Sequence, residues 1–283
     1  MYELTSPKVI KQIASDYGFT FSKGLGQNFL TDKSVLEDIV YAADIKSGVL
    51  EIGPGFGVLT QELAQNAQKV VSIEIDNRLL DVLEDTLSDF DNVKIINGDV
   101  MKLDIAEIIK NEFGDEKISI AANLPYYITT PIITMLIEQK LPISNIVVMV
   151  QKEVADRIAA KPGKKDYGAI SVMCQYYTNP SVVTKVPASA FVPPPKVDSA
   201  VLKFEICDKP NIEVKDEKMF FKVVKASFAQ RRKTLLNCLT NGNFGLSKQE
   251  ISDKLTSIGI APTVRGETLG LAEFAKISDA FSE

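Results

Sequence analysis

Val49-Leu50-Glu51-Ile52-Gly53-Pro54-Gly55-Phe56-Gly57 joins a short apolar run to three glycines within five residues. The run has the length and composition of a buried strand. Glycine turns the backbone tightly and lets a ligand approach without meeting a side chain. The stretch therefore reads as a turn between a strand and a helix, where ligands of open α/β sheets bind. A dinucleotide site would need G-x-G-x-x-G, and that spacing fails. Counted from Gly53 the last glycine position holds Val58, and counted from Gly55 it holds Thr60. A loop shaped around an adenosyl amino acid fits better than a helix N-terminus aimed at a pyrophosphate.

On either side of this turn, short apolar runs alternate with amphipathic segments from about Val49 to Gln151. That pattern predicts a Rossmann-like, mostly parallel sheet covered by helices. Strands are expected at Val49–Ile52, Lys69–Ile75, Val93–Ile96, Ile118–Ala122 and Asn145–Val150, with helices over Asn77–Leu87 and Pro131–Gln139. Later strands are expected at Ala169–Tyr177, Ser181–Val186 and Val197–Glu205, and their closer spacing suggests an antiparallel edge. Asp208-Lys209-Pro210-Asn211 breaks the pattern. The division is thus a catalytic domain over 1–207 and a smaller all-helical domain over 208–283. In the latter, Ser247-Lys248-Gln249-Glu250 is a capping box, and Gly259 with Pro262 ends the helix it opens.

The chain has 283 residues, 45% of them apolar and 24% charged, enough for a sizeable core. No apolar stretch approaches the roughly eighteen residues of a membrane span, and the start lacks a secretory pattern. Cys174, Cys207 and Cys238 are too few and too scattered for a disulfide framework or a metal site, so buried thiols, no metal and a cytoplasmic setting are expected. There is no histidine. That excludes a Ser-His-Asp triad, an HExxH zinc site and any imidazole shuttle. The net charge of −5 is uneven: residues 206–283 carry 12 Lys+Arg against 10 Asp+Glu, leaving −7 on the rest. A mildly basic C-terminal part is compatible with local RNA contacts.

Glu74 ends the strand after the glycine turn, where a carboxylate can accept from both ribose hydroxyls of an adenosyl group. Ile75 follows it. Asp99 comes after the third strand and can take an adenine amine, with Val100 as an apolar wall. Asn123-Leu124-Pro125-Tyr126 closes the fourth strand. An adenine amine is a poor nucleophile because its lone pair is delocalised into the ring. Two acceptors, the Asn123 side-chain carbonyl and the Pro125 backbone carbonyl, would hold its N–H bonds out of plane. Tyr126 would stack on a base flipped from its helix, and Phe191 is expected to close the other face. Together the motifs suggest methyl transfer from S-adenosylmethionine to a nucleic-acid adenine, with S-adenosylhomocysteine as product.

Gly26-Gln27-Asn28-Phe29-Leu30, Glu51 to Gly57, Asn123 to Tyr126, Gln151-Lys152-Glu153-Val154 and Phe191 to Ala200 together resemble the bacterial small-subunit (16S) ribosomal RNA adenine N6,N6-dimethyltransferases. The resemblance runs from about Lys23 to the C-terminal helices. It implies dimethylation of two adjacent adenosines near the 3′ end of 16S RNA, on naked RNA or an immature small subunit, by a monomer. It also implies that Gln27, Asn28 and Leu30 close over a cofactor held by Gly53, Gly55, Glu74, Asp99 and Asn123. Large-subunit resistance methyltransferases and a non-catalytic assembly factor of the same fold are the competing readings.

If Glu217 to Leu239 is one helix, Phe221, Val224, Phe228, Leu235 and Leu239 form an apolar stripe. Lys218, Lys222, Lys225, Arg232 and Lys233 then occupy an adjoining sector that can track phosphates, with Arg231 on the opposite flank. Lys161-Pro162-Gly163-Lys164-Lys165 is a second basic candidate.

Overall fold

The computed structural model describes residues 2–19 and 28–282. Its strands are β1 (Phe29–Leu30), β2 (Gly48–Ile52), β3 (Lys69–Glu74), β4 (Val93–Asn97), β5 (Ile118–Asn123), β6 (Ile143–Gln151), β7 (Thr178–Val186), β8 (Phe191–Val192) and β9 (Ser199–Ile206). Helices α1 (Pro7–Asp16), α2 (Lys33–Ala43), α3 (Val58–Asn66), α4 (Leu80–Thr86), α5 (Ile105–Phe113) and α6 (Thr129–Glu138) precede β6. After it come α7 (Lys152–Ile158), α8 (Ala169–Tyr177), α9 (Glu217–Phe228), α10 (Leu235–Thr240), α11 (Lys248–Ser257) and α12 (Leu271–Phe281).

Seven strands form one sheet in the order β4-β3-β2-β5-β6-β9-β7, and β1 pairs with β8 separately. The pairs β2/β3, β3/β4, β2/β5 and β5/β6 are parallel, and β9 runs antiparallel to β6. The sheet is thus mixed but mostly parallel, with helices around it, as the alternating pattern predicts. The chain leaves β2 in one direction through β3 and β4, then returns to the other side with β5. The switch point lies between β2 and β5, whose register pairs Ile52 with Ala122. Both carboxyl ends open there, so the glycine turn and Asn123 become neighbours.

Two compact units can be distinguished: Met1–Ala155 with Ser181–Ile206, and Asp156–Pro180 with Cys207–Glu283. This differs from a single cut at 207, because 156–180 packs with the helical part. Tyr167, Val172 and Tyr176 share a core with Phe220, Val224 and Phe274. In the first unit the central strands β2, β3 and β5 are buried on both faces, every residue of β2 included, whereas the outer strands β4 and β7 are partly exposed. Ser119 Oγ and Asn145 Nδ2 donate to the Ala43 carbonyl at the end of α2, at 2.6 and 3.2 Å. These bonds satisfy one of the orphan acceptors that every helix end carries.

Two expected elements are corrected. Ala169–Tyr177 is the helix α8, not a strand. Its residues 171–174 and 176 are buried nearly all round the helix, and Ser171 Oγ accepts from the Gly168 N–H at 3.0 Å to start the turn. A short apolar run with one wholly buried side has no period that separates strand from helix. Glu217 to Leu239 is likewise not one helix. It stops at Phe228, turns through Gln230–Lys233, and restarts at Leu235, whose N–H donates to the Val264 carbonyl at 2.6 Å. The capping box at Ser247 and Glu250 is present, and Gly259, at φ +77°, follows the end of α11. Among the described residues no helix is long and apolar enough to cross a membrane. Among the described residues no disulfide joins the cysteines; Cys174 and Cys238 are buried, whereas Cys207 is half-buried.

Candidate active site

A cleft of about 1120 Å³, counting its open mouth, lies over the switch point in the first unit. Its walls gather Asn28, Leu30, Gly53, Gly55, Glu74, Ile75, Asp99, Val100 and all four residues from Asn123 to Tyr126. These are sequence candidates drawn from five separate segments. Gln27 lies outside the described residues.

The glycine turn shapes the floor. Gly55 adopts φ +61°, and a Cβ there would sit 2.7 Å from Phe29 Cε1. Phe29 cannot withdraw easily, because it stacks on the fully buried Phe56 with ring centroids 4.4 Å apart. Phe19 meets Phe56 edge-on at 5.3 Å. Gly55→Ala therefore meets both backbone strain and a clash, together about 1–3 kcal/mol. Its thermal midpoint is expected to fall by several degrees, and adding Phe29→Leu should restore only the part due to the clash. Calorimetric scans of the three proteins measure both effects.

Glu74 is buried, and its carboxylate faces the turn. The Gly55 N–H donates to Oε2 at 3.2 Å and the Asp76 N–H to Oε1 at 2.8 Å. Burial pushes its pKa up, and these backbone donors oppose the shift. Each oxygen keeps acceptor capacity on the cleft side, which suits a pair of vicinal hydroxyls. Ile75, 52% exposed beside it, offers an apolar face to a flat ring. Asp99 Oδ1 accepts from the Met101 N–H at 3.0 Å, and Oδ2 stands 3.4 Å from Lys102 Nζ.

Glu51 lies beneath this layer and was not singled out by the sequence reading beyond its place in the turn. It is 1% exposed. Thr60 Oγ1 and Ser72 Oγ both donate to Oε2 at 2.7 Å, whereas Oε1 has no partner. Burial is the main cause that raises its pKa to about 7 from an ordinary 4.5. The folded state thus holds the proton more tightly than the unfolded chain. The resulting stabilisation is complete below about pH 4.5 and is lost as pH rises through about 7, on the order of 3 kcal/mol in all. Glu51→Gln should flatten that fall. Urea midpoints from pH 4 to 8 test this, and equal slopes in the two proteins would contradict it.

At the end of β5, Asn123 Nδ2 donates to the Asn28 carbonyl at 3.3 Å, which fixes the amide and leaves Oδ1 without a donor among the described residues. The expectation for Pro125 needs correction. Its carbonyl already accepts from the Ile128 N–H and from Thr129 Oγ1, each at 3.1 Å. Both of its lone pairs are engaged in starting α6. The Leu124 carbonyl, one residue earlier, receives no hydrogen bond among the described residues. Within this turn the carbonyl open to a further donor is thus that of Leu124, not that of Pro125, whose ring makes a rigid corner.

Tyr126 is half-buried, and its hydroxyl hydrogen-bonds Ser199 Oγ at 2.7 Å. Phe191 does not close the cleft. It is 2% exposed, belongs to the core, and pairs through β8 with Leu30. The β1/β8 ladder turns its ring inward. The sequence reading also passed over Phe29 and Tyr127, both of which line the cleft. The Gly55 constraint could have signalled Phe29 only with the fold in hand.

In the second unit, Arg231 Nη2 donates to the Lys165 and Tyr167 carbonyls at 2.6 and 3.2 Å, tying the turn to 165–167. Lys222 Nζ donates to the Asn243 carbonyl at 2.7 Å and sits 4.8 Å over the Phe244 ring. Lys225, Arg232 and Lys233 are exposed.

Comparison with known proteins adds a line independent of this geometry. The family model described as ribosomal RNA adenine dimethylase matches residues 18–283. Ribosomal RNA small subunit methyltransferase A of Bacillus cytotoxicus is 52% identical over 285 aligned residues, covering 99% of this chain and 98% of the relative. The protein of the same name from Bacillus mycoides matches equally, at 52% over the same shares. Among solved structures, a dimethyladenosine transferase from Plasmodium falciparum superposes with a TM-score of 0.75 at 27% identity, over 88% of this chain and 95% of that one. The 23S rRNA methyltransferase ErmE superposes with a TM-score of 0.70 at 25% identity, over 90% of this chain and all of the other.

Proposed function

The chain belongs to the ribosomal RNA adenine dimethylase family, and from that premise we propose that the β2–β5 cleft presents the N6 amine of a ribosomal adenosine to bound S-adenosylmethionine. The protein is an rRNA (adenine-N6,N6)-dimethyltransferase that modifies two adjacent adenosines near the 3′ end of small-subunit RNA, in the biogenesis of that subunit. The reading of its site is carried by one observation. The turn from Asn123 to Tyr126 shares a cleft with the glycine turn and Glu74, and among the described residues it leaves Asn123 Oδ1 and the Leu124 carbonyl without donors.

The residues present fit the cofactor. Gly53 lines the cleft with open space where a Cβ would stand, Glu74 offers carboxylate oxygens to ribose hydroxyls, and Asp99 offers an acceptor to the adenine amine. Ile75 and Val100 would flank the purine, while Asn28 and Leu30 border the opening. Bound there, S-adenosylmethionine supplies an electrophilic methyl group already activated by its sulfonium. Asn123 Oδ1 and the Leu124 carbonyl would accept from the N6 hydrogens and hold the N–H bonds out of the ring plane, which takes the nitrogen lone pair out of conjugation. The proton leaves the methylated, positively charged nitrogen afterwards. Those hydrogen bonds strengthen as the nitrogen gains positive charge, so they stabilise the transition state more than the ground state. Tyr126, held by Ser199, would stack on the base. Alignment supplies much of the rate, which accords with a chain that lacks histidine.

Lys225, Arg232 and Lys233 would meet RNA phosphates, with Arg231 holding their turn in shape. We place the enzyme in the cytoplasm as a monomer. A large-subunit target is the competing reading, since the ErmE structure shares the fold, but the identity to small-subunit enzymes is twice as high. The test supplies labelled cofactor with naked small-subunit RNA, immature small subunits and large-subunit RNA, followed by primer extension. Stops at adjacent adenosines near the small-subunit 3′ end are expected. Stops confined to large-subunit RNA, or no label at all, would overturn the assignment.

A further inference from the structure

Tyr127 has a large ring in an exposed place. It is 61% accessible, lines the cleft directly after Asn123 to Tyr126, and has no hydrogen-bond, ring or charged partner among the described residues. Tyr126 differs, being half-buried and tied to Ser199. The apolar surface continues beyond Tyr127. Met101, 39% exposed, lines a shallow groove with Thr130 and Pro131 at the start of α6. Exposed apolar surface at the mouth of a cleft marks a binding rim.

We propose that Tyr127 is a positioning residue that stacks on the nucleotide next to the target adenosine, with Met101 and Pro131 extending the platform. The proposal rests on the dimethylase reading. A base that enters the cleft remains joined to its neighbours by single phosphodiesters, so a neighbouring base lies at the rim whenever the target is inside. For an enzyme of two adjacent adenosines, one neighbour of each target is itself a purine. Stacking tolerates any base because every base has a π-face, so one ring can serve both rounds. Charge bears on how the contact is made, not on who makes it. Residues 1–205 carry a net −7, so this part of the chain draws little attraction from phosphates, and stacking can supply binding that electrostatics does not.

The test uses the intact protein and a hairpin of the small-subunit 3′ end. Tyr127→Ala is expected to raise KM for the hairpin about ten-fold, with kcat within about three-fold and S-adenosylmethionine affinity unchanged by calorimetry. Tyr127→Phe keeps the ring and should behave as wild type. Hairpins with a single target adenosine and an abasic site on either side in turn supply the second arm. On one side the abasic site should raise KM for wild type about ten-fold and add little to Tyr127→Ala. An unchanged KM in Tyr127→Ala would overturn the proposal, as would an equal loss in Tyr127→Phe or fully multiplicative effects of abasic site and variant. If the wild-type protein methylates immature small subunits but not the hairpin, the same KM comparison is read on the subunits; failure on both would overturn the dimethylase reading itself, and this inference with it.

Discussion

Asn123→Ala should reduce methyl transfer at least a hundred-fold, and toward a thousand-fold, while S-adenosylmethionine affinity stays within a few-fold. The variant removes Oδ1, the side-chain acceptor that faces the cleft, and Nδ2, which holds the amide against the Asn28 carbonyl at 3.3 Å. Losing one hydrogen bond aimed at developing charge typically costs about 10²–10³ in turnover. The effect should fall on kcat, because the bond matters most when the N6 nitrogen becomes positive. Single-turnover transfer of labelled methyl groups measures it. Wild-type turnover in the variant would refute the acceptor role, and a large loss of cofactor affinity would reassign Asn123 to binding alone.

Glu74→Ala should act on the other half of the cleft, weakening cofactor binding by about a hundred-fold or more. Two hydrogen bonds from ribose hydroxyls to a carboxylate contribute roughly 1.5–3 kcal/mol each. The same carboxylate also receives the Gly55 and Asp76 N–H groups, so its loss loosens the turn. Glu74→Gln separates the two effects. It keeps one acceptor oxygen and the side-chain volume, and its affinity should fall only about ten-fold. Calorimetric titration with S-adenosylhomocysteine reads both variants. An unchanged dissociation constant in Glu74→Ala would count against the ribose assignment.

The parallel half of the fold was legible because its strands are short apolar runs set off by turn residues. Val49–Ile52 and Ile118–Ala122 each differ from the observed strand by a single residue at one end. The meeting of residues that follow strand ends was legible for the same reason, since strand order alone carries Gly53, Glu74, Asp99 and Asn123 to one edge. What failed depended on pairing or burial that no local pattern encodes. Phe191 turns inward because β8 finds β1 across some 160 residues of sequence. Pro125 loses its carbonyl to the first turn of α6, which a tetrapeptide reading cannot include. Ala169–Tyr177 is apolar enough for either period. The helix from Glu217 breaks because the N–H groups of Leu235 and Leu236 bond the carbonyls of Val264 and Pro262, partners nearly thirty residues away. Tyr127 passed unnoticed since a second tyrosine in sequence gives no hint of which one is exposed.

The central claim is that one cleft holds both the methyl donor and the purine. A bisubstrate compound, in which the N6 of adenosine is joined through carbon to an S-adenosylhomocysteine-like half, tests it without any RNA. It should bind the wild-type protein about a hundred-fold more tightly than S-adenosylhomocysteine, and Asn123→Ala should erase that gain while leaving S-adenosylhomocysteine itself unaffected. Equal affinity of the two compounds for the wild-type protein would contradict the account.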